Sequence, residues 1–170
     1  MSADAAHKNY WQTSDVIFGL PFLLAILLDF MRPLPLPGGV PRAVYILLGV
    51  VLIAAGAALI TLARREFSQH GQPTDPGGAT SRIVASGVFS ISRNPLYLGV
   101  ACFVAGLALA FNLAWALLLL LPSLVLCHIV LIRPEERYLE AKFGQEYRAY
   151  AGTVRRWLGR KSVRIPNDQG

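Results

Sequence analysis

Long apolar runs constrain this chain more than any other feature. Ser14 to Met31, Ala43 to about Ala63, Leu96 to about Phe111 and Leu113 to Ile132 are almost free of charge. A bilayer core about 30 Å thick takes about 20 apolar residues of helix to cross, at roughly 1.5 Å of rise per residue. Composition agrees: 54% of the residues are hydrophobic and only 15% charged, where soluble domains carry about 25% charged residues. The expectation is an all-α integral membrane protein of four transmembrane helices, about 14–31, 43–63, 96–111 and 113–132, in a single membrane domain over 1–170. The third run is short for a full span, so it can tilt little.

The segments between the runs are polar and differ in kind. Residues 1–13 form a polar head, with no short apolar core and small-residue cleavage site to mark a signal peptide. Arg32 to Arg42 is rich in proline, which lacks a donor and fixes φ, so it is a connecting loop. In the second run, Gly49, Ala54, Ala55, Gly56, Ala57 and Ala58 provide small faces for close helix packing. Residues 64–94 form a long polar loop in which Gly71, Pro73, Asp75, Pro76, Gly77 and Gly78 mark irregular backbone. Its later part, Thr80 to Phe89, reads as a short amphipathic piece at the interface, and a loop of this length suggests function. Only Asn112 separates the third run from the fourth, which implies a helical hairpin returning the chain to one side.

Beyond Pro134, Leu139, Phe143, Tyr147 and Tyr150 recur every three or four residues among charged neighbours. That periodicity predicts a cytosolic amphipathic helix over about 134–151. A basic tail, 152–170, follows; its Arg155-Arg156-Trp157 suits anionic headgroups. With four spans, Arg32 and Arg42 are the basic residues on one side and all other Lys and Arg lie on the other. Positive residues mark the cytoplasm, so both termini, the long loop and the C-terminal segment are expected there. The membrane is a bacterial inner membrane or a eukaryotic endomembrane.

The net charge of +6 belongs to these cytoplasmic segments; no nucleic-acid-binding motif accompanies it. Cys102 and Cys127 lie within apolar runs and act as small hydrophobes, so neither a disulfide nor a metal site is indicated. His7, His70 and His128 are scattered. His128, inside the fourth run, reads as a hydrogen-bonding contact to a neighbouring helix, and Asp29, at the end of the first, as an interfacial residue. No phosphate-binding loop, dinucleotide fingerprint or zinc-protease motif is present.

Two polar clusters flank the helical hairpin: Ser92-Arg93-Asn94-Pro95-Leu96-Tyr97-Leu98-Gly99 before it and Arg133-Pro134-Glu135-Glu136-Arg137 after it. The hairpin brings them to one boundary, where groups able to hold a charged ligand stand against lipid. Glu135 and Glu136 project about 100° apart on a helix. One can therefore serve a ligand while the other pairs with Arg93, Arg133 or Arg137; helix capping after Pro134 is the plainer alternative.

Gly87-x-Phe89, the Ser92–Gly99 segment, a short hairpin, Glu135-Glu136-x-x-Leu139 and Phe143-Gly144-x-Glu146-Tyr147-x-x-Tyr150, in this order, resemble the isoprenylcysteine carboxyl methyltransferase and phospholipid methyltransferase superfamily. The resemblance covers about Thr80 to Trp157. It implies an integral membrane enzyme that uses S-adenosylmethionine (SAM), with a cytosol-facing cofactor pocket and a lipid-embedded entrance for substrate. Carried over, Gly87, Asn94, Pro95, Tyr97, Gly99, Glu135, Glu136 and Tyr147 are the expected cofactor contacts, and Arg93, Glu136 and Arg137 the expected catalytic groups. Asn94 stands where the prenylcysteine enzymes have His; its amide still offers a hydrogen-bond donor.

The implied reaction is methyl transfer to a lipid-like or prenylated, membrane-partitioned acceptor. A carboxylate acceptor is already a nucleophile and needs only orientation, by Arg93 or Arg137, which favours carboxyl O-methylation. Phospholipid N-methylation is the alternative, since Asn-Pro-x-Tyr also resembles those enzymes, but an amine must first lose a proton and Glu136 is the one side chain placed to take it. A non-catalytic four-helix scaffold predicts no SAM affinity. A transporter predicts intramembrane charge, and across the hairpin His128 is the one residue of the Asp, Glu, Lys, Arg and His types.

Overall fold

A computed structural model describes residues 14–72 and 80–161. The polar head, the 73–79 part of the long loop, with Pro73, Asp75, Pro76, Gly77 and Gly78, and the end of the basic tail lie outside the described residues. The described chain is helical and contains no strand, only an isolated bridge between Val154 and Arg160. Its elements are α1 (Ser14–Met31), α2 (Arg42–Gln69), a 3-10 turn (Gly87–Ser90), α3 (Pro95–Phe111), α4 (Ala114–Cys127), a π-turn (His128–Ile132), α5 (Arg133–Phe143) and α6 (Gln145–Thr153).

Helices α1, α2 and the continuous Ala114–Phe143 rod are long and apolar enough to cross a membrane; α3 is a shorter apolar helix. At 28 residues, α2 is about 42 Å long. It therefore outruns the hydrocarbon layer and carries its last two turns, with Arg64, Arg65 and Glu66, into the polar region. The broad exposure of Leu23, Leu27, Leu47, Val50, Val51 and Leu121 is what a lipid-facing surface requires. The protein is an integral membrane protein.

Helix α2 packs along α3, antiparallel, through two glycine pairs seven residues apart. A Cβ on Gly56 would stand 2.6 Å from the Gly99 carbonyl oxygen, and one on Gly49 2.7 Å from that of Gly106. Only glycine permits this backbone approach, and dispersion over such contacts holds helices together where lipid removes the hydrophobic drive. Helix α1 packs mainly on α4. Ile17, Phe18, Tyr97, Ala101, Val104, Cys127, Leu131 and Ile132 form the core where α1, α3 and the π-turn meet.

At the far end from the polar clusters, side chains close the loops onto helix ends. Asn112 adopts a left-handed conformation (φ 63°) and ends α3; its Oδ1 accepts from Leu36 N at 3.1 Å. Arg42 donates to the carbonyls of Leu109 and Ala110 in the last turn of α3, a favourable place for a cation. Asp29 Oδ1 accepts from Leu34 N at 3.1 Å, so this carboxylate secures the proline-rich loop.

Where the periodicity after Pro134 predicts a separate helix to about 151, the chain continues straight out of α4. Pro134 has no N–H and its ring would crowd the carbonyl four residues back. The π-turn absorbs that conflict: Arg133 N–H bonds the His128 carbonyl, five residues earlier. The break falls instead at Gly144, whose φ of +52° is open to glycine at little cost. The Thr80–Phe89 piece is irregular backbone leading into a single 3-10 turn. Its Val84, Val88 and Phe89 are buried against Ala63 and Phe67 of α2.

Candidate active site

The polar clusters meet at the end of the bundle where α3 begins and α4 gives way to α5. Helix α6 and the segment after it close the site from outside. Val154–Arg160 folds back as a strap on the backbone before α3: Arg93 N donates to Arg155 O at 3.1 Å and Gly159 N to Ile91 O at 2.7 Å. The basic stretch predicted to sit on headgroups is thus part of the site's wall, and Trp157 packs against the core at its edge.

Glu136 is the centre of the charge arrangement. Arg93 Nη2 lies 3.0 Å from Glu136 Oε1, and Arg156 grips both carboxylate oxygens, at 2.9 Å from Nε and 2.6 Å from Nη2. Such forked pairing fixes the position of all three side chains, and Glu136 holds the Arg156 guanidinium more firmly charged than usual. Arg93 Nη1 also donates to the Tyr147 hydroxyl at 3.0 Å, and its guanidinium carbon lies 5.9 Å from that ring's centre. Burial pushes the Tyr147 phenol up to about 12, with Glu136 adding to the rise and Arg93 opposing it. Arg93 Nε is buried without a partner among the described residues.

Glu135 points the other way, into the bundle. Its Oε2 accepts from the Tyr97 hydroxyl at 3.2 Å. The apolar part of the rod ends at Ile132, so Glu135 lies just beyond it. Burial pushes its carboxyl up to about 7; Glu136 adds to the rise and the Tyr97 hydrogen bond opposes it. The two acids therefore differ in duty, one the hub of two ion pairs and the other a hydrogen-bonded brace.

A cleft of about 690 Å³ opens over the hub, lined by Arg93, Arg133, Glu136, Arg137, Glu140, Tyr147, Arg148, Ala151, Gly152, Arg156 and Lys161. An apolar groove of about 610 Å³ runs along α3 and α4, lined by Leu98, Ala101, Leu124, Val125, His128, Ile129, Arg133 and Trp157. Arg133 belongs to both walls, so the aqueous cleft and the lipid-facing groove adjoin at that residue.

The expected site residues fall into two sets. Arg93, Glu136, Arg137 and Tyr147 line the cleft. Gly87, Asn94, Pro95, Tyr97, Gly99 and Glu135 stand behind it, each with its own structural contact. Gly87 (φ +52°) fits where a Cβ would strike the Glu66 side chain, and Gly99 meets Gly56. Asn94 Nδ2 donates to the Arg156 carbonyl at 2.9 Å, tying the strap to the start of α3, where Pro95 occupies the first turn. Arg156, Arg148 and Glu140 were not foreseen; Arg156 reaches its partner across 20 positions, and no local pattern announces that. His128 does not bond a neighbouring helix: its Nδ1 is buried without a partner among the described residues.

This geometry can be set beside known proteins. The family model described as phospholipid methyltransferase matches residues 44–146. The chain belongs to the phospholipid methyltransferase family. The match runs from α2 into the first turn of α6, and so takes in both polar clusters and the glycine-paired helices between them. An uncharacterized protein of Haemophilus influenzae is 67% identical over 27 residues, which is 16% of this chain and 43% of that protein. The match thus spans less than half of that relative's length. No solved structure matches the chain.

Proposed function

We propose that the protein transfers a methyl group from SAM to a membrane-partitioned acceptor, with the cofactor in the cleft over Glu136 and the acceptor reaching it from the groove. The observation that carries this reading is the adjoining of a polar, two-signed cleft and an apolar groove at Arg133, within a chain of the phospholipid methyltransferase family. The residues suit the cofactor. SAM joins an ammonium, a carboxylate and a ribose diol to a sulfonium; the cleft offers Glu136 and Glu140 for the cationic and hydroxyl groups and Arg137 and Arg148 for the carboxylate. Its volume is within the range of small-molecule sites, about 300–1,000 Å³. When bound, the cofactor supplies an electrophilic methyl group whose transfer neutralises charge.

The chain's part is then positioning and exclusion of water. Asn94, Tyr97 and Glu135 act from behind, holding the strap, α3 and α5 in register. Glu136, engaged by Arg93 and Arg156, is poorly free to take a proton from an amine. The guanidinia around it favour an anionic acceptor oxygen. Carboxyl O-methylation follows as the preferred reaction, with the family description favouring phospholipid N-methylation as the second reading.

The two are separated chemically. Purified protein is incubated with methyl-labelled SAM and membrane lipid extract, and the labelled lipid is treated with mild alkali. Release of the label as methanol marks an ester; label stable to alkali marks a methylated amine. No transfer of label to any lipid, by protein that is folded, would remove the methyltransferase reading.

A further inference from the structure

The outer face of the strap carries side chains that neither the cleft nor the groove uses. Val154 and Arg160 close it into a loop, and Arg155 N donates to Gly159 O at 2.8 Å. Leu158 stands at the tip, 62% exposed. Gly159 N donates to Ile91 O at 2.7 Å, which brings Leu158 near Ile91, itself 42% exposed. Arg155 and Arg160 are exposed on the same loop. A Cβ on Gly159 would stand 3.7 Å from Arg155 Cδ, so the Arg155 stem lies against the loop beside its tip.

Charge on this face has one sign. Neither 80–95 nor 154–161, the two segments that build it, contains an Asp or Glu, and Arg155 and Arg160 have no ion-pair partner among the described residues. An apolar tip flanked by cations suits the boundary between anionic headgroups and acyl chains, where apolar side chains insert and cations meet phosphate. The location agrees. Trp157, next to Leu158, lines the lipid-facing groove with Val125 and Ile129, which are 59% and 50% exposed. The strap thus reaches the level at which lipid covers the helices. An acidic protein would match the cations as well, but would not explain an apolar tip at that level.

We propose that the outer face of the strap is a docking surface for anionic membrane lipid, and that docking tightens the cleft on the strap's inner side. The lipid acts here as a surface and is not the methyl acceptor. The relay is short. Arg156 lies between Arg155 and Trp157, and its forked pair with Glu136 and the bond from Asn94 to its carbonyl move with the strap backbone. Lipid that holds Leu158, Arg155 and Arg160 therefore holds Arg156 on Glu136, at the centre of the cleft. Without anionic lipid the strap opens more often, and Arg156 leaves Glu136 with it. The relay, though not the docking, rests on the reading of the cleft as the cofactor site.

The test compares full-length protein in nanodiscs of phosphatidylcholine alone and of phosphatidylcholine mixed with phosphatidylglycerol. Amide hydrogen exchange of the 154–161 segment and S-adenosylhomocysteine binding are measured on the same samples. One cation near an anionic surface is worth about fivefold, so exchange is expected to slow by at least that factor in the mixed discs, and binding to tighten similarly. Arg155→Gln combined with Arg160→Gln should remove most of both differences and leave binding in phosphatidylcholine discs unchanged; Leu158→Ser should weaken both. Equal exchange in the two lipids, or a difference that persists undiminished in the double variant, would overturn the proposal. So would poly-glutamate that protects the strap in phosphatidylcholine discs as well as phosphatidylglycerol does, since the face would then be a site for acidic proteins. Slowed exchange with equal affinity in both lipids would overturn the relay. If exchange responds as expected but S-adenosylhomocysteine binds in neither lipid, the cofactor reading fails and the docking surface stands.

Discussion

Replacing Glu136 with Gln keeps the side chain's shape but strips the counter-charge from Arg93 and Arg156. Breaking a fully buried pair costs about 3–5 kcal/mol; here Arg156 is 38% exposed and water screens part of the loss, so about 2 kcal/mol is expected. Thermal unfolding in detergent should show it as a lower midpoint, and Glu136→Asp should recover part of the loss. Glu135 gives a separate signature in pH. Burial raises its folded pKa from the ordinary glutamate value of 4.5 to about 7, so the folded state keeps the proton more tightly than the unfolded chain does. Stability from this group is full below pH 4.5 and declines as pH rises through about 7, by up to roughly 3 kcal/mol. Glu135→Gln should flatten that decline; an unchanged pH profile would mean that the carboxyl titrates normally. At this scale, a reader of the sequence could see that the adjacent acids must diverge, because helix geometry requires it. Arg93, one of three arginines the sequence offered as a partner for these acids, does answer Glu136; Arg156 was invisible, since it arrives on a strap whose path depends on Gly144, Gly159 and backbone bonds to Ile91 and Arg93.

Helix pairing turns on small residues. Gly99→Leu places a branched side chain where even a Cβ lies 2.8 Å from Ile60 Cγ1 and 2.9 Å from the Gly56 carbonyl oxygen. Backbone cannot yield as a side chain can, so overpacking of this kind costs about 1–3 kcal/mol or more. The variant should give much less folded protein on size exclusion, while Gly152→Ala, with nothing near its Cβ, should behave as wild type. Apolar runs and the small residues of α2 were legible beforehand, because length and side-chain size bear directly on membrane helices. The π-turn was not. Pro134 suggests a helix start when read alone; in the rod it is accommodated by five-residue backbone bonding, and that choice places His128 beside Arg133.

On the scale of the whole molecule, the glycine-paired α2 and α3 and the rod bring every charged element of the site to one end of the bundle. The distribution of Lys and Arg assigns that end to the cytoplasm as a proposal. A reporter fused after Lys161 should be active only if cytoplasmic, and one inserted beside Asn112 only if on the opposite face; the reverse pattern would invert the assignment. The central claim is that the cleft over Glu136 binds SAM. The most direct measurement is calorimetric titration of full-length, detergent-purified protein with S-adenosylhomocysteine, with ATP as control. The account predicts micromolar binding of the nucleoside, none of ATP, and at least a tenfold loss in Glu136→Gln. A folded wild-type protein with no affinity for S-adenosylhomocysteine would contradict it.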